Sequence, residues 1–313
     1  MKEKPFEIKQ INKKGKFIRP CPGTPRHVCC GYQIIDFARG CNLGCNYCIL
    51  NYYSNYDTLT VFQNKEKLYT ELHAFLRKKN RLTRFGTGEF TDSLLFEKAF
   101  PLYDELIPYI SKEKKAVLEI KTKTVNIERL LKIRLHNNII VSWSVNSAFI
   151  AQNEEKRAPD IDARIDAAYK VQESGYKLAF HFDPIIIYEG WENGYKQTID
   201  MIFKKIIPEN IVYISMGTLR FIPKMAGFLD NMTTDCRRGE FIKGLDNKMR
   251  YFRPLRTKVY KTIKSHLQNY VGESILYMCM ESSTVWEDVF GIISMDSKQL
   301  IQKLDNACMN IFT

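Results

Sequence analysis

Short apolar runs alternate with longer amphipathic stretches along most of this chain. Six runs, at 33–38, 82–86, 117–121, 139–144, 177–182 and 211–216, are mostly rich in β-branched and aromatic residues. Runs this short and apolar predict strands buried in a parallel sheet. Between them, 65–79, 94–111, 125–135, 161–174 and 193–205 have helical character. Asp160 is placed to cap the fourth of these, and Gly175 to end it. Six strand–helix repeats predict right-handed crossovers and an α/β fold. Six units suit a partial (β/α)6 TIM-like barrel better than a closed ring of eight. Residues 1–30 read as a polar, basic lead-in segment and 31–220 as the barrel. Residues 221–313 read as a C-terminal extension of loops and helices packed on it. No short-period repeat or low-complexity tract interrupts this plan.

Charge adds a partner class. Lys and Arg number 47 against 35 Asp and Glu, a net charge of +12. Such a field attracts polyanions, so nucleic acid is a candidate partner, with a solvated basic face as the plain alternative. The 313 residues include nine cysteines. The N-terminus has no apolar signal core, so a disulfide framework is not expected. No apolar stretch approaches membrane-spanning length. The expectation is a cytoplasmic protein without a membrane partner, whose thiols serve metal or redox chemistry.

The thiols are concentrated where the barrel would place a site. Gly40-Cys41-Asn42-Leu43-Gly44-Cys45-Asn46-Tyr47-Cys48 follows the first predicted strand. Cys41, Cys45 and Cys48 therefore share one tight loop and can wrap an iron–sulfur cluster. A [4Fe–4S] cube held by three cysteines keeps one iron open. S-adenosylmethionine (SAM) can chelate that iron through its amino and carboxylate groups. Zinc is the rival ligand, but structural zinc takes four donors, usually as two separated pairs. Cys29 and Cys30 are adjacent and poorly arranged for joint ligation, although one could be a fourth ligand. Polar groups recur at the other strand ends: Thr87-Gly88-Glu89, Lys121-Thr122-Lys123, Ser144-Val145-Asn146-Ser147 and His181-Phe182-Asp183. In barrels of this class, sites gather at that end of the strands.

These residues resemble the radical SAM superfamily. The triplet matches its cysteine signature, and Tyr47 occupies the aromatic position that usually lies near the adenine. Thr87-Gly88-Glu89 looks like a variant of the segment that binds the SAM amino group. Within the superfamily, the segments at 118–123, 141–147, 161–185 and 189–195 are similar to spore photoproduct lyase and its relatives. The likeness covers roughly residues 40–220. It implies cluster ligation by Cys41, Cys45 and Cys48, and SAM contacts from Tyr47, Gly88, Glu89, Lys123 and Ser144. It also implies a flavodoxin or ferredoxin type of electron donor, and a nucleic acid or nucleotide substrate. Two departures stand out. The lyase has a hydrogen-donating cysteine after the second strand, where this chain has Glu89 and Phe90. It also has a tyrosine after the third cluster cysteine, where this chain has Ile49. The opening Cys21-Pro22-Gly23-Thr24 and the stretch at 276–282 resemble marks of a lyase-like subgroup, not of the lyase itself.

The remaining candidates have competing structural readings. Asn146 and Ser144 alternate with Val145 and so would face the lumen, unless they cap a turn. His181 lies between two phenylalanines and could contact the cofactor or substrate, or be a satisfied core histidine. Cys279 could replace the missing hydrogen donor, with Tyr277 as a weaker candidate for radical relay. Trp191 and Tyr195 read as core residues with base stacking as the alternative. A radical enzyme acting on a peptide or metabolite is a second functional reading. A non-catalytic, metal-stabilised nucleic-acid-binding protein is a third.

Overall fold

All six predicted strands form, and they lie side by side in chain order. The computed structural model describes residues 7–53, 58–230, 232–235 and 240–309. Eight strands make one sheet: β1 (Ile18–Pro20), β2 (Gln33–Ile35), β3 (Thr83–Gly86), β4 (Ala116–Thr122), β5 (Ile139–Ser144), β6 (Lys177–Ile185), β7 (Ile211–Thr218) and β8 (Leu276–Met278). Their order across the sheet is their order in sequence, and the sheet curls into a half-barrel. Every neighbouring pair is parallel except β1 and β2. Trp143, Leu118, Ile120, Val141, Phe180 and Phe182 are fully buried, so the sheet hydrogen bonds sit in a dry setting. Two small three-stranded sheets flank this one. One joins Glu7–Ile11, Thr58–Phe62 and Ala38–Arg39; the other joins Arg220–Phe221, Met249–Tyr251 and Phe241–Lys243.

Both edges of the large sheet come from outside the six predicted units. The lead-in supplies β1, which pairs Ile18 with Ile35 and Pro20 with Gln33. Pro20 is tolerated there because an edge strand can do without one amide donor. The stretch read as loops and helices supplies β8, which runs beside β7 with Ser215 opposite Tyr277. A run of three residues has no measurable period, so its strand character was not legible.

The longer helices are α1 (Lys65–Arg77), α2 (Tyr103–Ser111), α3 (Ala148–Glu154), α4 (Ile161–Glu173), α5 (Trp191–Lys205), α6 (Arg253–Leu267), α7 (Ser283–Phe290) and α8 (Ser297–Met309). Asp160 caps α4 by accepting from Ala163 N at 2.8 Å, and Gly175 leaves it at φ +88°. Two predicted helices shrink. The stretch at 94–111 is helical only from Tyr103, because Pro101 disfavours helix at the residue before it. The stretch at 125–135 keeps one 3-10 turn, Leu130–Lys132. There the Thr122 hydroxyl accepts from Thr124 N at 2.9 Å, a local bond that competes with helix formation. Among the described residues, no helix is long and apolar enough to cross a membrane.

If β8 is an integral part of the barrel, truncating its buried Met278 to alanine should cost about 2–5 kcal/mol. Leu245→Ala, at an exposed position, should stay within about 0.5 kcal/mol. Urea unfolding of both variants checks the contrast.

Candidate active site

The cysteine loop is tethered on two sides by backbone and side-chain hydrogen bonds. On one side, Gly40 N donates to Phe90 O at 3.0 Å, and the Thr91 hydroxyl donates to Gly40 O at 2.6 Å. On the other, Asn46 N donates to Glu154 O at 2.9 Å, and Arg157 N donates to Leu43 O at 3.0 Å. Cys45 also forms a backbone bridge with Glu155. The loop is thus strung between the segment after β3 and the end of α3. Gly40 (φ +88°) and Gly44 (φ +67°) make the turns, in a region that disfavours other residues. Burial pushes the Cys41 thiol up to about 12, and raises that of Cys45 as well.

Glu155 is the centre of the adjoining network. Its side chain has no solvent exposure. It accepts hydrogen bonds from the Tyr47 hydroxyl, from Arg164, and from Lys123 Nζ at 2.7 Å. Lys123 also donates to the Tyr47 hydroxyl at 2.8 Å, with its ammonium 5.4 Å from the ring centre. Burial alone would push the Glu155 carboxyl up, but Lys123 and Arg164 outweigh it and hold it at about 2. Lys123 and Tyr47 therefore come together beside the loop, as one hydrogen-bonded unit. Asp92 ties β3 to β4 in the same region. It accepts from Thr122 Oγ1 at 2.7 Å, Lys123 N at 2.6 Å and Leu94 N at 3.0 Å.

The other side of the rim is built on Glu89. The Tyr32 hydroxyl donates to it at 2.6 Å. Gly88 is required by packing, since a Cβ there would lie 2.9 Å from Lys121 O. Deeper in the lumen, Glu119 accepts from Ser142 at 2.6 Å and from the Tyr213 hydroxyl at 2.9 Å. His181 lies between Glu119, at 2.5 Å, and the Ser215 hydroxyl, at 2.6 Å. Burial would raise the Glu119 pKa, but the facing His181, with hydrogen bonds from His181 and Ser142, holds it at about 2. Burial would lower the Lys121 pKa, but Glu89, Glu119 and Asp183 raise it. Asp183 is paired twice with Arg220, at 3.0 and 2.9 Å.

The remaining sequence candidates separate into two groups. Asn146 is fully buried and its amide is engaged within the protein. Its Nδ2 donates to Pro184 O at 3.1 Å, and its Oδ1 accepts from the Tyr195 hydroxyl and from Ser147 N. Its hydrogen-bonding capacity is thus met within the protein. Tyr195 and Trp191 are buried core residues. Ser144 ends β5, and its carbonyl accepts from Arg164 at 3.0 Å. Tyr277 packs edge-on against Tyr213, with ring centres 5.7 Å apart. Cys279 follows β8, with its sulfur 3.7 Å from that of Cys30. Cys29 packs near Thr24 O instead of near the cysteine loop.

Sequence reasoning singled out none of Tyr32, Asp92, Glu119, Lys121, Glu155, Arg164 and Arg220, although Lys121 stands in one of the polar strand ends it noted. One signal was present for two of them. Glu119 and Lys121 put charges at alternating positions of a strand that is otherwise apolar up to Thr122. Such a conflict with burial marks a functional position more often than an error.

The donor type, three soft thiols on one loop, is the one an iron–sulfur cluster takes, although among the described residues no three such side chains are gathered into a metal-holding group. The three loop thiols are one another's electrostatic neighbours, and they are soft donors on a single loop. Cys41, Cys45 and Cys48 would hold it.

A profile of the spore photoproduct lyase family matches residues 28–225. The spore photoproduct lyase of Clostridium acetobutylicum is 26% identical over 179 residues, covering 56% of this chain and 52% of that protein. The Bacillus subtilis spore photoproduct lyase is 26% identical over 170 residues, covering 54% and 50%. The chain thus spans about half the length of the curated relatives it matches. Among solved structures, a spore photoproduct lyase mutant with bound AdoMet and dinucleoside spore photoproduct shares the fold. Its TM-score is 0.76 at 19% identity, over 88% of this chain and 82% of that one. With most of its length matched by the profile and its half-barrel shared, the chain belongs to the spore photoproduct lyase family.

Proposed function

We propose that this protein is a radical SAM enzyme acting on a nucleic acid or nucleotide. The observation that carries the reading is the three-cysteine loop, pinned to the rim of a half-barrel with Glu89, Tyr47 and Lys123 around it. A [4Fe–4S] cluster held there, with SAM bound, would supply one-electron radical chemistry for hydrogen abstraction. Cys41, Cys45 and Cys48 hold the cluster. Glu89, oriented by Tyr32, accepts from the SAM ammonium, and a charge-assisted bond of this kind is a strong one. Lys123 offers its ammonium to the SAM carboxylate, Ser144 its hydroxyl, and Tyr47 its ring to the adenine. Gly88 keeps the backbone close beside them. Glu155 acts as a positioning residue for Lys123 and Tyr47. Glu119 fixes His181, which contacts the substrate in the lumen. Cys279 is the hydrogen-atom donor, with Tyr277 beside it on β8. A flavodoxin or ferredoxin type of protein delivers the electron.

The net charge of +12 supports a polyanionic substrate. A groove of about 810 Å³ adds to this, with Lys16, Arg19 and Lys78 at its sides and Phe75 and Phe90 along it. Arg19 and Arg39 both lie over the Phe90 ring, at 4.8 and 5.7 Å. Cations beside aromatic faces suit a single strand, whose phosphates and bases they can engage. Solved spore photoproduct lyase with its dinucleoside ligand is consistent with this class of substrate.

Three outcomes follow. Cys45→Ala should lose the iron and the visible absorption of the anaerobically reconstituted protein, and lower 5′-deoxyadenosine formation to background. Retained turnover, or tetrahedral zinc at the loop, would overturn the cluster assignment.

Glu119→Gln should lose stability in a pH-dependent way. The folded pKa of about 2 is below the unfolded value of about 4.3. The stabilisation is therefore complete above about pH 4.3 and is lost as pH falls through about 2, with an upper size near 3 kcal/mol. Urea midpoints of wild type and variant should converge as the solution is acidified.

Fluorescence anisotropy with a labelled oligonucleotide should show binding that weakens steeply with salt. Lys16→Glu and Lys78→Glu should each flatten the slope by about 0.7 per lost phosphate contact on a single strand. Absence of binding even at low salt would exclude nucleic acid and favour a small-molecule substrate.

A further inference from the structure

Cys30 and Cys279 are 249 positions apart in sequence, yet their sulfurs lie 3.7 Å from each other. That is contact distance for two sulfurs, against about 2.05 Å in a disulfide bond. Neither thiol belongs to the cluster loop. Their charged and sulfur-bearing neighbours are Cys21, Cys29, Arg84 and Arg220.

Backbone geometry pins the pair. Val28 N donates to Glu281 O at 2.8 Å, and Met280 N donates back to Val28 O at 2.9 Å. This antiparallel bridge lies two residues from each sulfur-bearing residue. On one side Gly31, at φ +69°, abuts Ile301; on the other, Met280 is held at φ +58°. A positive φ is uncommon for a residue with a side chain, so this segment has little freedom to move away. Cys30 is 4% exposed, whereas Cys279 is half-buried.

The two sulfurs are also chemically unequal. Cys279 donates its S–H to Cys30. That bond, with the Arg84 guanidinium nearby, lowers the Cys30 pKa against the effect of burial. The same bond, with burial, raises that of Cys279. One sulfur with thiolate character beside a second thiol is the arrangement that disulfide exchange uses.

We propose that Cys30 and Cys279 are a redox-active dithiol that a hydroperoxide oxidises to a disulfide. The Cys30 sulfur, with its thiolate character, attacks the peroxide, whose O–O bond breaks as one oxygen passes to that sulfur, giving a sulfenic acid and, after protonation, an alcohol or water. The Cys279 sulfur then attacks Cys30, the S–O bond breaks, and hydroxide leaves with the Cys279 thiol proton as water. The two thiols lose two electrons and two protons in total, and the peroxide gains them. A dithiol reductant of the thioredoxin class reverses the step. The bridge would staple the segment before β2 to the residue after β8, and would take the Cys279 thiol out of use. This proposal stands apart from the radical reading, since the disulfide forms or fails to form whatever the substrate is.

The test is peptide mapping of the anaerobically purified, cluster-loaded protein after treatment with hydrogen peroxide and alkylation without reduction. Residues 27–39 form one tryptic peptide that holds both Cys29 and Cys30, so the Cys29→Ser variant is needed to separate them. The expected product is that peptide linked to the one carrying Cys279. It should persist in Cys29→Ser, vanish in Cys30→Ser and Cys279→Ser, and disappear on treatment with dithiothreitol. The free-thiol titre of Cys29→Ser should fall by two more than that of the Cys279→Ser variant. Absence of the linked peptide from both wild type and Cys29→Ser would overturn the proposal. So would recovery of Cys279 as a sulfinic acid, or linked to Cys21 or Cys29. The wild-type and Cys29→Ser results decide the matter even if the other two variants fold poorly.

Discussion

A carboxylate without solvent contact costs several kcal/mol to bury unless cations and donors surround it. Glu155 is such a group, and Lys123, Arg164 and Tyr47 are its compensation. Each partner comes from a different part of the chain. Lys123 follows β4, Arg164 lies in α4, and Tyr47 lies inside the cysteine loop. The Glu155 backbone bridges Cys45 as well. One buried charge therefore sets the positions of a strand end, a helix and the cysteine loop relative to one another. Removing Lys123 or Arg164 would leave the buried carboxylate with half of its cationic compensation, so the arrangement is strongly specified. The proposed cofactor contacts inherit their geometry from this electrostatic requirement.

The lumen repeats the principle with a second set of charges. Glu119, His181, Lys121, Asp183 and Arg220 form paired or neighbouring groups along the inner face of β4, β6 and the chain just after β7. Buried charges of both signs make a polar floor below the rim. Such a floor can orient a polar substrate with little rearrangement, because the side chains are already held by one another. Gly217 reflects the crowding there, since a Cβ would lie 2.7 Å from the Asp183 carboxyl carbon.

Much of the architecture was legible in the amino-acid pattern. Strands β2 to β7 each have an apolar run long enough to be recognised, and the cysteine spacing located the loop before any coordinate was known. The edge strands were not legible, because Ile18–Pro20 and Leu276–Met278 are too short for a periodic signal. Helix at 125–135 was over-read because the local Thr122 and Thr124 hydrogen bonds outweigh its apolar spacing. The rim residues Glu89, Lys123 and Tyr47 could be picked out by position and resemblance. Their partners could not. Glu155 and Arg164 meet Tyr47 only through the tertiary fold, and no spacing rule links residues about a hundred positions apart. Asn146 is a further case: alternation pointed to its face of the strand, but not to the partners Pro184, Tyr195 and Ser147 that occupy its amide.

The two edge strands have a consequence for how the barrel survives in solution. Both lie outside residues 28–225, the part matched by the family profile. A protein cut back to that stretch would expose unpaired amides and carbonyls along β2 and β7, and naked sheet edges recruit other chains. The lead-in and the C-terminal stretch thus serve as selvedges, finishing the fabric so that it does not knit itself into aggregates.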